Sequence, residues 1–310
     1  MDEIKKILIL GASGMLGSMV YKYFREKKFF LTKGTVRNKN DFSFDSSSIY
    51  HFVIDENVYS QLLSIVNDFT PDYIINCTGI INKYCRNDNP AGIKRAIRVN
   101  AYFPHELTDF CNQYLPDTMI IQIATDCVFD GSKGNYSEDS LHNATDVYGK
   151  TKSLGEVISK NFLNVRCSII GPEIKNKNSL LEWFLSHPNG SIITGYAHHK
   201  WNGVTTLQFA KYCEELINKN LIGNYLKYTN IIHYCPNKAV TKFQLLNIFK
   251  DVFRKDYIIE YDDKIGVQID RTLTSKYTAQ GEGDMRKAIE ELKTFIDDNH
   301  YYSNSLTSKI

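Results

Sequence analysis

Lys6-Ile-Leu-Ile-Leu10-Gly11-Ala-Ser-Gly14-Met-Leu-Gly17 is the stretch that decides the fold. Its apolar run is continuous rather than alternating, as a strand buried on both faces requires, and it stops at a glycine. A helical pattern follows from about Met15 to Glu26. Three glycines where a strand meets a helix form the context of a dinucleotide fingerprint. Gly11 permits the tight turn, Gly14 lets the backbone approach a pyrophosphate, and Gly17 allows the helix to pack closely on the sheet. Backbone N–H groups from Ser13 through Met15 to Leu16 then meet the phosphates with the helix dipole behind them.

Outward from this turn, strands and helices alternate. Strands are expected at Phe29–Val36, His51–Asp55, Tyr73–Cys77, Thr118–Ala124 and Leu163–Ser168. Helices are expected at Val58–Asp68, at Ala91–Gln113 with Pro104 as a kink, and around Tyr148. Such alternation implies parallel strands joined by right-handed helical crossovers, a Rossmann-type doubly wound α/β sheet. After Pro172 the rhythm changes to short helices (Leu180–Ser186, Leu207–Asn218, Lys242–Phe253, Met285–Asp298) and brief strands (Ser191–Thr194, Ile231–Tyr234, Tyr257–Glu260). We read residues 1–172 as a nucleotide-binding domain. Residues 173–310 read as a smaller, discontinuous α+β substrate lobe, with parts of about 200–235 returning to the sheet. The tail from Tyr301 to Ile310 reads as frayed.

With 310 residues, 43% apolar and 23% charged, the chain has material for a large core. A net charge of +2 gives no footprint for nucleic acid or an anionic membrane. The N-terminus carries no secretory pattern and no run is long enough to span a bilayer. The seven cysteines are an odd set without metal-ligand or Cys-x-x-Cys spacing, the pattern of reduced thiols in a cytoplasmic protein. No metal site is legible.

At the cofactor end, the second strand finishes Thr35-Val-Arg37-Asn-Lys39, without an acidic residue to grip a ribose 2′-hydroxyl. An arginine there accommodates a 2′-phosphate, which favours NADPH and leaves NADH possible; a solvated loop cation is the bland alternative. Asp55 suits the adenine amino group or, equally, a helix N-cap. Cys77, Thr78 and Gly79 follow the fourth strand and would lie along the nicotinamide.

The chemical end lies in Ala124-Thr-Asp-Cys-Val-Phe-Asp-Gly131 and Asp146-Val-Tyr-Gly-Lys-Thr-Lys-Ser-Leu-Gly-Glu156. Tyr148 and Lys152 stand four residues apart, one turn along a single helix face. An ammonium there favours the phenolate of a tyrosine whose ordinary pKa is about 10.

These motifs, with Tyr136-Ser-Glu-Asp139 between them, resemble the extended short-chain dehydrogenase/reductases, and most closely the dTDP-4-dehydrorhamnose reductases. The likeness is specific over roughly the first 170 residues. It implies that Thr125 hydrogen-bonds the substrate carbonyl, that Tyr148 gives a proton as hydride arrives, and that Lys152 holds the nicotinamide ribose and lowers the Tyr148 pKa. Asn100, in Arg98-Val-Asn-Ala-Tyr-Phe-Pro104, would support that lysine through a water. The activity so implied is NADPH-dependent reduction of the 4-keto group of a nucleoside-diphosphate 4-keto-6-deoxy sugar; relatives in the family often pair as homodimers.

Cys127 stands where related dehydratases carry the glutamate used for elimination, which disfavours a dehydratase. A thiol there resembles an epimerising cysteine, though its apolar neighbours Val128 and Phe129 suit core packing. An epimerase, or an epimerase-reductase, would need a histidine partner such as His187, His198 or His199. A non-catalytic NADP-binding regulatory subunit is the remaining alternative. For the sugar nucleotide, Asp126, Cys127, Trp201, Asn202, Thr205, Arg271 and Ser275 are candidate contacts. Arg271 could bridge the diphosphate, and Trp201 could stack a base or fill core.

Overall fold

The computed structural model describes residues 4–38, 46–175, 177–264 and 268–302. Lys39 and residues 303–310 lie outside them. Strand β1 (Lys5–Leu10) runs through the centre, and Ile7 to Leu10 are fully buried. It is flanked by β2 (Phe30–Val36) and β4 (Tyr73–Asn76). With β3 (Ile49–His51), β5 (Met119–Thr125), β6 (Phe162–Cys167) and β11 (Ile231–His233) they form a seven-stranded sheet ordered β11-β6-β5-β4-β1-β2-β3. Every pairing in this sheet is parallel, so helical crossovers cover both faces, as expected of a Rossmann-type fold.

The chain runs outward from β1 to β3 and returns to the other side of β1 at β4. A crevice therefore opens at the carboxyl ends of β1 and β4, where neighbouring connections diverge. On one face, α1 (Met15–Arg25) packs against β1, β2 and α7 (Thr206–Asn218). Helices α2 (Val58–Asp68) and α4 (Phe103–Tyr114) bury the other face through Leu62, Ile65, Phe103, Leu107 and Phe110.

Beyond β6, the short strands β7 (Ile169–Ile170) and β10 (Val204–Thr205) pair in parallel. Strands β8 (Ile192–Tyr196) and β13 (Ile258–Asp262) make a second small sheet. A third joins β9 (His199–Trp201), β12 (Val240–Thr241) and β14 (Ile269–Asp270). Helices α6 (Leu180–Leu185), α9 (Lys242–Val252) and α10 (Met285–Asp298) pack around them; α8 (Leu221–Tyr225) is a brief turn. Leu181, Phe184, Leu246, Phe249 and Leu292 join α1 and α7 in one continuous core, so the two regions share buried apolar surface. Among the described residues no helix is long and apolar enough to cross a membrane.

Three expectations are corrected here. The third strand is Ile49–His51, displaced from the expected 51–55, because its partner β2 ends at Val36 opposite His51. Val53 instead has both backbone groups paired with the Gln61 side chain, at 2.8 and 2.9 Å. The expected long helix is interrupted: α3 (Pro90–Ala96) passes through a π-helical turn, Ile97–Tyr102, before α4. Proline at 104 has no N–H and crowds the carbonyl four residues earlier, so a wider turn ahead of it relieves both problems. Tyr301 is fully buried rather than frayed, its hydroxyl 2.6 Å from that of Ser18.

Candidate active site

The carboxyl ends of β1, β4, β5 and β6 border a cleft of about 610 Å3. At one end lies the glycine turn. Gly11 has φ +81, and its carbonyl accepts from Gly14 N at 3.0 Å. A Cβ on Gly17 would stand 2.1 Å from the Gly11 carbonyl oxygen, so α1 can sit this close only with glycine there. Gly14, the α1 N-cap, differs: a Cβ there would meet only that same oxygen, at 3.5 Å. Its side-chain space belongs to the cleft. The first-turn N–H groups of α1 have no side-chain cap and no acidic neighbour in the first turn. An uncapped helix start bordered by Ser13, Gly14, Met15 and Leu16, with Arg37 on the same cleft, fits a dinucleotide phosphate.

At the other end, β5 delivers Thr125 and the following turn delivers Asp126 and Cys127. Helix α5 (Val147–Leu154) begins at Asp146, whose carboxylate accepts from Gly149 N at 2.8 Å. A Cβ at Gly149 would lie 2.3 Å from the Cys127 carbonyl oxygen, so this glycine lets the helix press against the Thr125 turn. Tyr148 and Lys152 then both line the cleft beside Thr125, Cys77, Thr78 and Gly79. Tyr148 packs on Ile80, Cys85 and Ala96.

Electrostatics here are dominated by burial. It raises the Tyr148 phenol, with the Cys127 thiol acting the same way and a Thr125 hydrogen bond acting against it. The Lys152 ammonium is pushed down to about 8 by burial and donates to the Ile123 carbonyl at 2.7 Å. The expected lowering of the Tyr148 pKa is therefore corrected for this state: Nζ is turned toward β5, and desolvation of the phenolate prevails. Asp126 is also raised by burial, opposed first by Arg271 and then by its Thr125 hydrogen bond. Burial and then the Asp126 charge lift the Cys127 thiol to about 12. No histidine borders the cleft among the described residues; His187 bonds the Trp183 carbonyl, and His198 and His199 pack at a tilt against Tyr196.

Several expected contacts lie elsewhere. Asn100 borders no cleft: its amide bonds both backbone groups of Ile80, at 2.8 and 2.9 Å, and the Thr151 hydroxyl at 3.1 Å. It staples α5 to the loop after β4 directly. Asp55 lies outside the cleft, where its Oδ1 accepts from Asn57 N and from Gln61 in the turn leading into α2. Asn202 is used up on the backbone of Leu273, at 2.8 and 2.9 Å. Thr205 is the N-cap of α7 in a capping box with Gln208. Trp201 packs on the core, its indole so close to Gly203 that a Cβ there would stand 2.3 Å from it. Arg271 donates to the Phe129 carbonyl at 3.0 Å, and Ser275 to Glu138 at 2.6 Å.

The cleft has a wall that the motifs did not signal: Ile81, Tyr84 and Arg95 after β4, and Glu173, Ile174, Lys175 and Asn178 after β7. Both are connections at the carboxyl ends of sheet strands, where ligands of open α/β folds lie, and that rule applied to each loop finds them.

The family model described as the RmlD substrate binding domain matches residues 5–186. The chain belongs to that family. Among curated relatives, the methionine adenosyltransferase 2 subunit beta of Bos taurus is 24% identical over 262 residues, 80% of this chain and 72% of the relative. The dTDP-4-dehydrorhamnose reductase of Aggregatibacter actinomycetemcomitans is 24% identical over 242 residues, 76% of this chain and 75% of the enzyme. Among solved structures, a dTDP-4-dehydrorhamnose reductase from Bacillus anthracis in complex with NADP superposes with a TM-score of 0.64. It is 17% identical and covers 95% of this chain and 99% of its own. The family that the Thr125, Tyr148 and Lys152 motifs resemble, and the Rossmann fold expected from the alternation of strands and helices, are those found.

Proposed function

We propose that this protein is an NADPH-dependent reductase of the 4-keto group of a nucleoside-diphosphate 4-keto-6-deoxy sugar, acting in the cytoplasm. The observation that carries the reading is the convergence of Thr125, Tyr148 and Lys152 at one end of a cleft whose other end is an uncapped glycine turn. In this reading residues 1–172 hold the cofactor and most of 173–310 hold the sugar nucleotide. Arg37 on the cleft supports a 2′-phosphate, hence NADPH over NADH.

A dihydronicotinamide held along Cys77, Thr78 and Gly79 would supply the hydride. Thr125 and Tyr148 orient the carbonyl oxygen by donating hydrogen bonds, and a phenol kept protonated by burial transfers its proton to that oxygen. Lys152, one turn away, offsets the phenolate left behind once its Nζ turns from the Ile123 carbonyl toward it. The raised Cys127 thiol and the absence of a bordering histidine argue against a second, epimerising step. Purified protein should consume NADPH with dTDP- or UDP-4-keto-6-deoxyhexoses generated in place by a dehydratase. Absence of turnover across that panel contradicts the proposal.

A second reading is favoured by the methionine adenosyltransferase 2 beta relatives: a regulatory subunit that binds NADP without consuming it. NADP-dependent stabilisation with no turnover, and an enzyme partner that co-purifies, would support that reading over the first.

A further inference from the structure

We propose that Tyr302, acting through the Glu182 carboxylate, is a positioning residue for the Glu173–Ser179 wall of the cleft. That wall leaves β7 at Gly171 and ends where Ser179 caps α6, its Oγ accepting from Glu182 N at 3.2 Å. The same hydroxyl donates to the Gly171 carbonyl at 3.0 Å, so the segment closes on itself. Glu182, 4% exposed, directs Oε1 back into this loop and accepts from Glu173 N at 3.0 Å. The Glu173 carboxylate in turn accepts from Asn178 N. From outside the loop, the Tyr302 hydroxyl donates to Oε1 at 2.6 Å.

The preceding residue fastens the other side of the cleft. Tyr301 is fully buried, its hydroxyl 2.6 Å from Ser18 Oγ and its carbonyl accepting from Lys22 at 3.1 Å, both on α1. Helix α1 begins at the glycine turn. Two adjacent tyrosines thus tie the wall after β7 to the helix that carries the cofactor end. The far side of the wall is held less firmly: Asn178 meets Lys83 and, at 2.7 Å, the exposed Tyr84 hydroxyl. Both Asn178 bonds are exposed, including the one from the Lys83 ammonium, whereas the Tyr302 bond to the Glu182 carboxylate is partly buried and less open to competition from water.

That this wall faces a sugar nucleotide rests on the function proposed above; that Tyr302 fixes it does not. Hydrogen exchange on the full chain therefore tests the proposal without turnover. In Tyr302→Phe, amides of residues 173–175 and 177–179 should exchange roughly three- to tenfold faster, the scale of one lost hydrogen bond, while those of α1 stay unchanged. Glu182→Gln keeps an oxygen acceptor without the charge and should give a smaller acceleration in the same window. Tyr228→Phe, 81% exposed, should change nothing. If turnover is found, Tyr302→Phe should raise KM for the sugar nucleotide by a similar factor, with kcat and the NADPH KM within about twofold. Unchanged exchange at 173–175 and 177–179, or equal acceleration along the whole chain, overturns the proposal.

Discussion

Alanine at Gly14 and alanine at Gly17 separate the two tasks of the glycine turn. At Gly17 the new Cβ would stand 2.1 Å from a backbone oxygen, and backbone cannot yield as a flexible side chain does. Overpacking of this kind costs about 1–3 kcal/mol, and a backbone clash belongs at the upper end. For 310 residues, an unfolding entropy of roughly 0.65 kcal/mol/K makes 3 kcal/mol a fall in Tm of about 5 °C. At Gly14 the Cβ would make one ordinary contact at 3.5 Å, and φ of −81 suits alanine. Loss of unfolded-chain entropy should then raise stability by about 0.4–1 kcal/mol, or roughly 1 °C. The cofactor response reverses this ranking. NADPH at a hundred times its Kd should stabilise wild type by about 2.7 kcal/mol, a shift of about 4 °C. Gly14→Ala should lose that shift, because its methyl fills the space the phosphates need. Thermal melts of both variants, with and without NADPH, read all four quantities. A Gly14→Ala protein that keeps the full shift refutes the phosphate assignment.

Replacing Tyr148 by Phe should lower kcat by roughly two to four decades with an unchanged melt, measured as NADPH consumption. Lys152 has a folded pKa of about 8 against an ordinary 10.5. The unfolded chain then binds more protons between those values, so stability should rise with pH across that window, by a few kcal/mol at most. Lys152→Met should flatten the rise in urea titrations taken at stepped pH. Arg166 and Glu156 form a bidentate pair at 2.7 Å with side chains 2% and 5% exposed. Glu156→Gln leaves the guanidinium poorly matched and should cost on the order of 3–5 kcal/mol in the same titrations. Wild type should introduce no solvent deuterium beside the reduced carbon, and Cys127→Ser should keep reductase activity; deuterium introduced by wild type and abolished in Cys127→Ser would restore the epimerase alternative.

The sheet was legible because its strands are short apolar runs ending in glycine or a polar turn, and the motifs fixed the Thr125 and Tyr148 end. What escaped was the use of polar residues whose types suit ligands. Asn202 and Asn100 look like contacts in sequence, but each amide is spent on a backbone segment distant in the chain. Arg271 suggests a diphosphate clamp in sequence, and its Nε is given to the Phe129 carbonyl. Such assignments depend on which backbone groups are left unpaired after folding, which spacing alone does not encode. The wall from Glu173 to Asn178 was missed for the opposite reason: its residues follow no periodic pattern. Fraying fails at Tyr301 because only its burial reveals that α1 offers Ser18 and Lys22 to receive it.

The most direct test of carbonyl reduction at Tyr148 is label transfer. With NADPH deuterated at the transferred position and a 4-keto-6-deoxy sugar nucleotide, mass spectrometry should find one deuterium on the carbinol carbon of the wild-type product, and almost none formed by Tyr148→Phe. Product formed by wild type without the label, or labelled product formed equally fast by Tyr148→Phe, would contradict the account.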